Sequence, residues 1–235
     1  MKKKEISLKD LLEAGAHFGH QAARWNPKMK PYLYGIKDGV HVFDLVKTKE
    51  GLEKACQFVR KFTAEGKTIV FVGTKRQAQA IIIEEAKKAG VPYVAQRWLG
   101  GTLTNWEQIK KSIDKLNQMK DERKKGVYKK YTKKEQLLLD RQIARLERFL
   151  GGLATLEEPP EALFVVDTHK ETLVVKEANK KEVTVVGLVD SNSDPDLVDY
   201  IIPGNDDAVA GIKVVVSAVA EAAKEGKEAH DKKKS

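Results

Sequence analysis

Gln96 to Trp106, QRWLGGTLTNW, is the stretch whose reading decides the fold. Behind it, Val91 to Gln96 (VPYVAQ) reads as the end of a strand. Within it, two indoles, Trp98 and Trp106, flank a Gly100-Gly101 pair on which the chain can turn sharply. Ahead of it, Thr104-Asn105-Trp106-Glu107 reads as a capping box, the hydroxyl satisfying an orphan amide and the carboxylate reaching back to the cap residue. The chain thus leaves a sheet, turns on glycine and enters a helix. A helical pattern runs from Asn105 to Leu150, Gly151-Gly152 closes it, and the strand pattern resumes at Ala162. The expected organisation is an α/β body from residues 1–104 and 151–225, a helical insertion at 105–150, and a basic disordered tail at 226–235.

The insertion has its own period. Trp106, Ile109, Ile113 and Leu116 alternate spacings of three and four, as do Leu139, Ile143, Leu146 and Leu150, which is the a/d seam of a two-helix antiparallel coiled coil. Thr132 to Glu135 forms a second capping box at the start of its second helix. Twenty residues of helix reach ~30 Å, so the tip around Lys124 to Tyr131 is expected to stand clear of the body. The insertion carries 14 Lys/Arg against 7 Asp/Glu, a net +7 in a chain whose total is +9. Lys2 to Lys4 and Lys232 to Lys234 add two basic clusters, which leaves the rest of the body mildly acidic. A basic projection with basic tails is the electrostatic footprint of a polyanion binder, although a lysine-rich helix can also be nothing more than a solvated face.

Outward from the insertion, the body repeats strand, helix, strand. Thr68 to Val72 is a continuous apolar run, as a strand buried on both faces requires. Gly73-Thr74 is expected to cap a helix over Lys75 to Ala89, and Tyr93 starts the next strand. After Pro159-Pro160, strands are predicted at Ala162 to Val166, Val183 to Val189 and Tyr200 to Ile202, with a helix at Lys170 to Lys180 and a last helix to about Ala223. This βαβ rhythm gives a parallel sheet with helices on its faces. Near the N-terminus, Ser7 to Asp10 is a capping box for a short helix over Leu8 to Ala14. Residues 16–39 read as a long polar loop before a short strand at Val40 to Phe43, and an amphipathic helix follows with Leu52, Ala55, Phe58, Val59 and Phe62 on one face.

Several function classes are excluded or weakened by residues. Mean hydropathy is −0.46, and no apolar run approaches the ~18 residues of a membrane span. MKKKEISLKD has lysines with no apolar run after them, so it is not a secretory signal. The single cysteine, Cys56, forms no internal disulfide and reads as a small core residue. The compartment reads as cytoplasmic. The turn GTKRQAQ has one glycine, matching neither a dinucleotide fingerprint nor a P-loop. Its Lys75 and Arg76 remain candidates for a backbone phosphate, against the simpler reading of a helix start followed by exposed charge. No nucleophile-base-acid order appears.

Two groups of residues invite a functional reading. Arg24, Lys28 and Lys30 interleave with Trp25, Tyr32 and Tyr34, a mixture suited to phosphate contacts plus stacking on bases, or equally to packing of the loop on its own body. Arg97 adds a cation beside Trp98. Along the insertion, Lys110, Lys111, Lys124, Lys125, Lys129, Lys130 and Lys133 are candidate phosphate contacts. Asp190, Asp194, Asp196, Asp206 and Asp207 cluster near the ends of two strands. Caps and turns are the commoner use of such aspartates. Hard cations also take these oxygens, and Asp190, Asp206 and His17 are the candidate metal ligands. His17 and His20 otherwise read as hydrogen-bonded structural histidines.

Together, LLEAGAHFGHQAARWNPKMKPYLYG (Leu11 to Gly35), FVGTKRQAQ (Phe71 to Gln79), QRWLGGTLTNW and SDPDLVDYIIPGNDDA (Ser193 to Ala208) closely resemble the bacterial small ribosomal subunit protein two family, nearly end to end. One departure stands out. Where the family pattern leads to expect a helix ending in Gly-hydrophobic-Pro before the strand at Val183, this chain has KKEVTVV. The resemblance implies a flavodoxin-like or Rossmann-like sheet interrupted by a coiled-coil hairpin. It implies a non-enzymatic role in the ribosome, with small-subunit rRNA and neighbouring ribosomal proteins as partners, among them the large multi-OB-domain protein that handles messenger RNA. The alternatives are a metal- or nucleotide-dependent enzyme using the crevice at the carboxyl ends of the strands, and a protein-protein adaptor acting through the hairpin.

Overall fold

The structure, a computed structural model, describes residues 6–234. The Lys2 to Lys4 cluster therefore lies outside the described residues. The parallel sheet is built from β4 (Ile69–Val72), β5 (Tyr93–Val94), β6 (Ala162–Val166), β7 (Thr184–Val189) and β8 (Tyr200–Pro203), in the spatial order β5-β4-β6-β7-β8. In chain order that is 2-1-3-4-5, the order of flavodoxin-like folds, whose strand order reverses beside the first strand. Every residue of β4 and β6 is buried, which is why both read as unbroken apolar runs.

Strand pleating sends alternate residues to opposite faces. Ile69, Phe71, Phe164, Val166, Val186 and Leu188 meet α2 (Leu45–Ala64), α3 (Arg76–Ala89) and α7 (Val209–Lys234) on one side. Val70, Val72, Leu163, Val165, Val185 and Val189 meet α6 (Thr172–Lys180) and the bases of α4 (Trp106–Lys124) and α5 (Lys133–Leu150) on the other. Trp98 is buried in this second core, and Cys56 is half-buried against the first.

Four local expectations are corrected. First, residues 16–39 are not a plain loop. β1 (Phe18–Gln21), β2 (Leu33–Lys37) and β3 (Val40–Phe43) form a separate antiparallel sheet in the order β1-β3-β2. Asp38 and Gly39, at φ 51° and 76°, make the two-residue turn between β2 and β3.

Second, Thr104 to Glu107 makes no capping box: the N-cap of α4 is Asn105, without a side-chain bond. The Glu177 carboxylate of α6 instead accepts from the amides of Gly101 (2.7 Å), Leu103 (3.1 Å) and Thr104 (3.4 Å). Third, Gly73-Thr74 does not cap α3, whose N-cap is Lys75. The Thr74 hydroxyl donates to Glu171. Fourth, α7 continues to Lys234 where a disordered tail was expected. Its last turns lie on the body: Lys227 Nζ donates to the Gly90 carbonyl, and His230 Nδ1 lies 3.3 Å from the Ala64 carbonyl.

The other local signals hold. Ser7 to Asp10 closes a capping box at α1 (Leu8–Glu13), and Thr132 to Glu135 closes one at α5. Asp194 caps a single turn with Pro195 at its first position.

Candidate nucleic-acid interface and the crevice at the strand ends

The carboxyl ends of β4, β6, β7 and β8 deliver Lys75, Asp167, Asp190 and Asp206 to one crevice. Lys75 Nζ lies 2.5 Å from Asp206 Oδ1, 2.6 Å from Asp207 Oδ1 and 3.3 Å from Asp167 Oδ2. Burial opposes the ammonium charge, but the bonds to Asp206 and Asp207 overcome it and hold Lys75 well above the ordinary lysine pKa. Lys75 is thus committed to carboxylates of its own chain rather than displayed to a phosphate.

Asp206 is fully buried. Burial, reinforced by the charges of Asp190 and Asp167, pushes its carboxyl up to about 8 against the pull of Lys75. Its Oδ2 has no hydrogen-bond partner among the described residues. Asp190, also fully buried, accepts from the Ser191 amide (2.5 Å) and hydroxyl (3.0 Å) through Oδ1, and from the Asp206 amide (3.1 Å) through Oδ2. His20 Nδ1 stands 3.0 Å from Asp190 Oδ1, and the nearness of that carboxylate raises the imidazole pKa. At the rim, burial raises the Glu171 carboxyl, partly offset by its bonds from Thr74.

One ligand atom from each of His20, Asp190 and Asp206 falls within 4.8 Å of the others, so these three could surround a small cation. His17, the histidine expected there, is outside the group, its ring tilted against the Phe18 ring at 4.0 Å between centroids. His20 lies within β1, whereas His17, three residues earlier, sits in the turn that precedes the strand. Only recognition of β1 would have singled out His20.

The remaining candidates are dispersed. Trp25 is half-buried on the His41 ring, 4.7 Å away, so packing on the body accounts for that indole. Lys28 pairs with Asp194 (2.9 Å) and Asp196 (2.7 Å) beside the crevice. Arg24, Lys30, Arg76 and Arg97 are exposed. Lys110 pairs with Asp114 at 2.9 Å and donates to the Leu156 carbonyl, whereas Lys111 is exposed. Lys124, Lys125, Lys129, Lys130 and Lys133 are all exposed at the far end of α4 and α5. None of these five pairs with a carboxylate among the described residues; Lys130 lies over the Tyr131 ring. The buried His41, whose ring nitrogens both lack hydrogen-bond partners among the described residues, and the carboxylates of Asp167, Glu171 and Glu177 are residues that sequence reasoning does not single out.

An α/β body whose strand-end crevice is lined by its own ion pairs, and which carries on a separate pair of helices five exposed lysines with no carboxylate partner among the described residues, is a binding scaffold. The chain belongs to the ribosomal protein S2 family, whose model matches residues 11–226. It is similar to the small ribosomal subunit protein uS2 of Roseiflexus sp. (strain RS-1), 52% identical over 221 residues, covering 94% of this chain and 84% of that protein. The uS2 protein of Roseiflexus castenholzii is 50% identical over 222 residues, with 94% and 84% covered. That of Chloroflexus aggregans is 48% identical over 221 residues, with 94% and 93% covered. Membership makes this a structural ribosomal protein and not an enzyme, and neither the enzyme nor the adaptor alternative is favoured.

Proposed function

We propose that the chain is a structural constituent of the small subunit of the cytoplasmic ribosome, where it binds small-subunit rRNA and neighbouring ribosomal proteins. The observation that carries the RNA-binding reading is the set of unpaired, exposed lysines at the far end of α4 and α5. α4 and α5 form an antiparallel coiled-coil hairpin in this reading. Ile113 and Leu116 are fully buried, Ile109, Ile143 and Leu146 pack against the same core, and Lys120–Glu147 (2.5 Å) and Arg123–Asp140 (2.8 Å) tie the two helices together. Arg24, Lys30, Arg76 and Arg97 are secondary phosphate contacts, supported by exposure. The resemblance to the family supports the multi-OB-domain protein as one neighbour. His20, Asp190 and Asp206 take a small divalent cation in the same reading, supported by the unpartnered Asp206 Oδ2. One imidazole with carboxylates suits zinc or manganese.

The test removes charge at the tip. Changing Lys124, Lys125, Lys129 and Lys130 to glutamine keeps length and polarity. Each phosphate contact makes log K fall with log[salt] by about 0.7–0.9, so affinity for rRNA should drop and the slope become shallower by up to ~3 units. The melting temperature should stay put. An unchanged slope in a folded variant would move the RNA surface to Arg24, Lys30 and Arg97.

A further inference from the structure

At the opposite end of the sheet from the crevice, an open groove of about 740 Å³ runs between the start of α4 and the N-terminal ends of β6 and β7. Its apolar lining includes Leu103, Trp106, Pro160 and Val183, with Leu103 and Pro160 buried and the Trp106 indole half-exposed. Glu107, Glu161 and Glu182 line it too, all exposed, against the single base Lys181. Glu157 and Glu158, also exposed, immediately precede the Pro159-Pro160 wall. The groove is thus acidic in a chain of net +9.

Glu182 also closes α6 beside the groove. It holds φ 55°, the left-handed conformation that favours glycine. It does so just after the C-cap of α6, where the Val183 amide returns to the Ala178 carbonyl at 2.9 Å and the Glu182 amide to the Asn179 carbonyl at 3.3 Å. That is a Schellman turn, whose left-handed position is usually glycine. The helix ending thereby sets the Glu182 carboxylate at the groove.

We propose that this groove binds an extended, arginine-bearing segment of a partner protein. The three lining carboxylates, with Glu157 and Glu158 next to the proline wall in sequence, repel a phosphate backbone, so the rRNA surface lies elsewhere. Proline and tryptophan walls suit an extended chain, and a guanidinium can stack on the indole face while bonding a carboxylate in a fork that an ammonium does not match. The occupant is therefore distinguished by arginine over lysine as well as by positive charge.

The probe is a fluorescein-labelled nine-residue peptide carrying three arginines interspersed with proline and valine, with lysine and glutamine counterparts, titrated against the full chain by anisotropy. The arginine peptide should bind more tightly than the lysine peptide, and the glutamine peptide should not bind. In the triple variant E107Q/E161Q/E182Q, whose melting temperature should not fall, affinity should drop about ten-fold, since three exposed ion pairs together amount to roughly one decade. A control variant of three glutamates elsewhere, E13Q/E53Q/E84Q, should bind as the parent does. Equal loss in the control, no loss in the triple variant, or equal binding of the lysine peptide would overturn the proposal. So would a single-stranded RNA that competes the peptide from the parent but not from a chain already lacking the tip lysine charges.

Discussion

Glu177 shows what a residue can do that no local pattern reveals. The pattern Thr104 to Glu107 has the right types at the right spacing for a capping box, yet the loop amides turn to a carboxylate three elements further along the chain. A partner in sequence is legible; a partner brought by the packing of α6 is not. Removing it leaves several amides of a partly buried loop without an acceptor, so Glu177→Ala should destabilise the protein by about 1–3 kcal/mol. Glu107→Ala should change little, and urea denaturation of the two variants checks the ordering. The crevice is the second lesson at this scale. Asp190 and Asp206 were legible as a pair near strand ends, but the choice of histidine and the capture of Lys75 depended on the sheet's geometry. Asp206 also sets a pH dependence. Its carboxyl rises from an ordinary 3.8 to about 8, so between those values the folded protein holds a proton that the unfolded chain has released. Stability must therefore fall as pH rises through that window. His20, raised above 6.5 by Asp190, adds to the fall in its upper part. Chelator-treated protein should melt at a lower temperature at pH 8 than at pH 5.5, and Asp206→Asn should flatten the difference. Added zinc should raise the melting temperature by mass action, more at pH 8 than at pH 5.5, because it replaces the proton as counter-charge. A flat parent profile in chelator would remove Asp206 from this role.

At the scale of elements, the parallel sheet was the most legible part. β4, β6 and β7 are buried on both faces, and such strands announce themselves as apolar runs without alternation. The small sheet was not seen, because β1 and β2 are largely solvent-facing and lack that signal. The signal that was present is Asp38-Gly39 between two short runs, the strongest short-range mark of a hairpin. The end of α7 was misread for the opposite reason: alanine, lysine and glutamate suit a helix, but charge density suggested a solvated tail. Gly226 decides between the two. A Cβ built there would stand 2.0 Å from Thr63 Oγ1 and 2.4 Å from the Arg60 carbonyl, so α7 and α2 touch backbone to backbone at this point. In a frayed tail or an exposed helix, Gly→Ala stabilises by roughly 0.5–1 kcal/mol. In this packed crossing, Gly226→Ala should instead destabilise by about 1–3 kcal/mol through overpacking. The sign of the melting shift is the measurement, and an increase would mean that the helix end does not lie on α2.

For the whole molecule, charge and packing divide the labour. The body buries two cores on the faces of one sheet, and α4 and α5 join the second core through Ile113, Leu116 and Leu150, with Ile109, Ile143, Leu146 and Phe149 packed against it. Further out, Tyr128 is buried against its own helix pair, its hydroxyl donating to Glu122. The outer part should therefore be separable from the fold in a way that the base is not. Residues 121–142 carry 8 Lys/Arg and 4 Asp/Glu, so their removal takes the chain from +9 to +5 while leaving both cores intact. Bridging Lys120 to Ile143 with a short glycine-serine turn, of about the 2–8 residues that join neighbouring helices in bundles, keeps the base closed. The shortened chain should melt within a few degrees of the parent, since a loss of ~1 kcal/mol corresponds to about 2–4 °C at this size. If the far end of the helices is an arm on rRNA, the shortened chain should still co-sediment with small ribosomal subunits at low salt, through the body's contacts. It should be washed off at a lower salt concentration than the parent, because fewer counterions are released per binding event. Equal retention through the wash, with the fold intact, would show that the body alone holds the protein on the subunit.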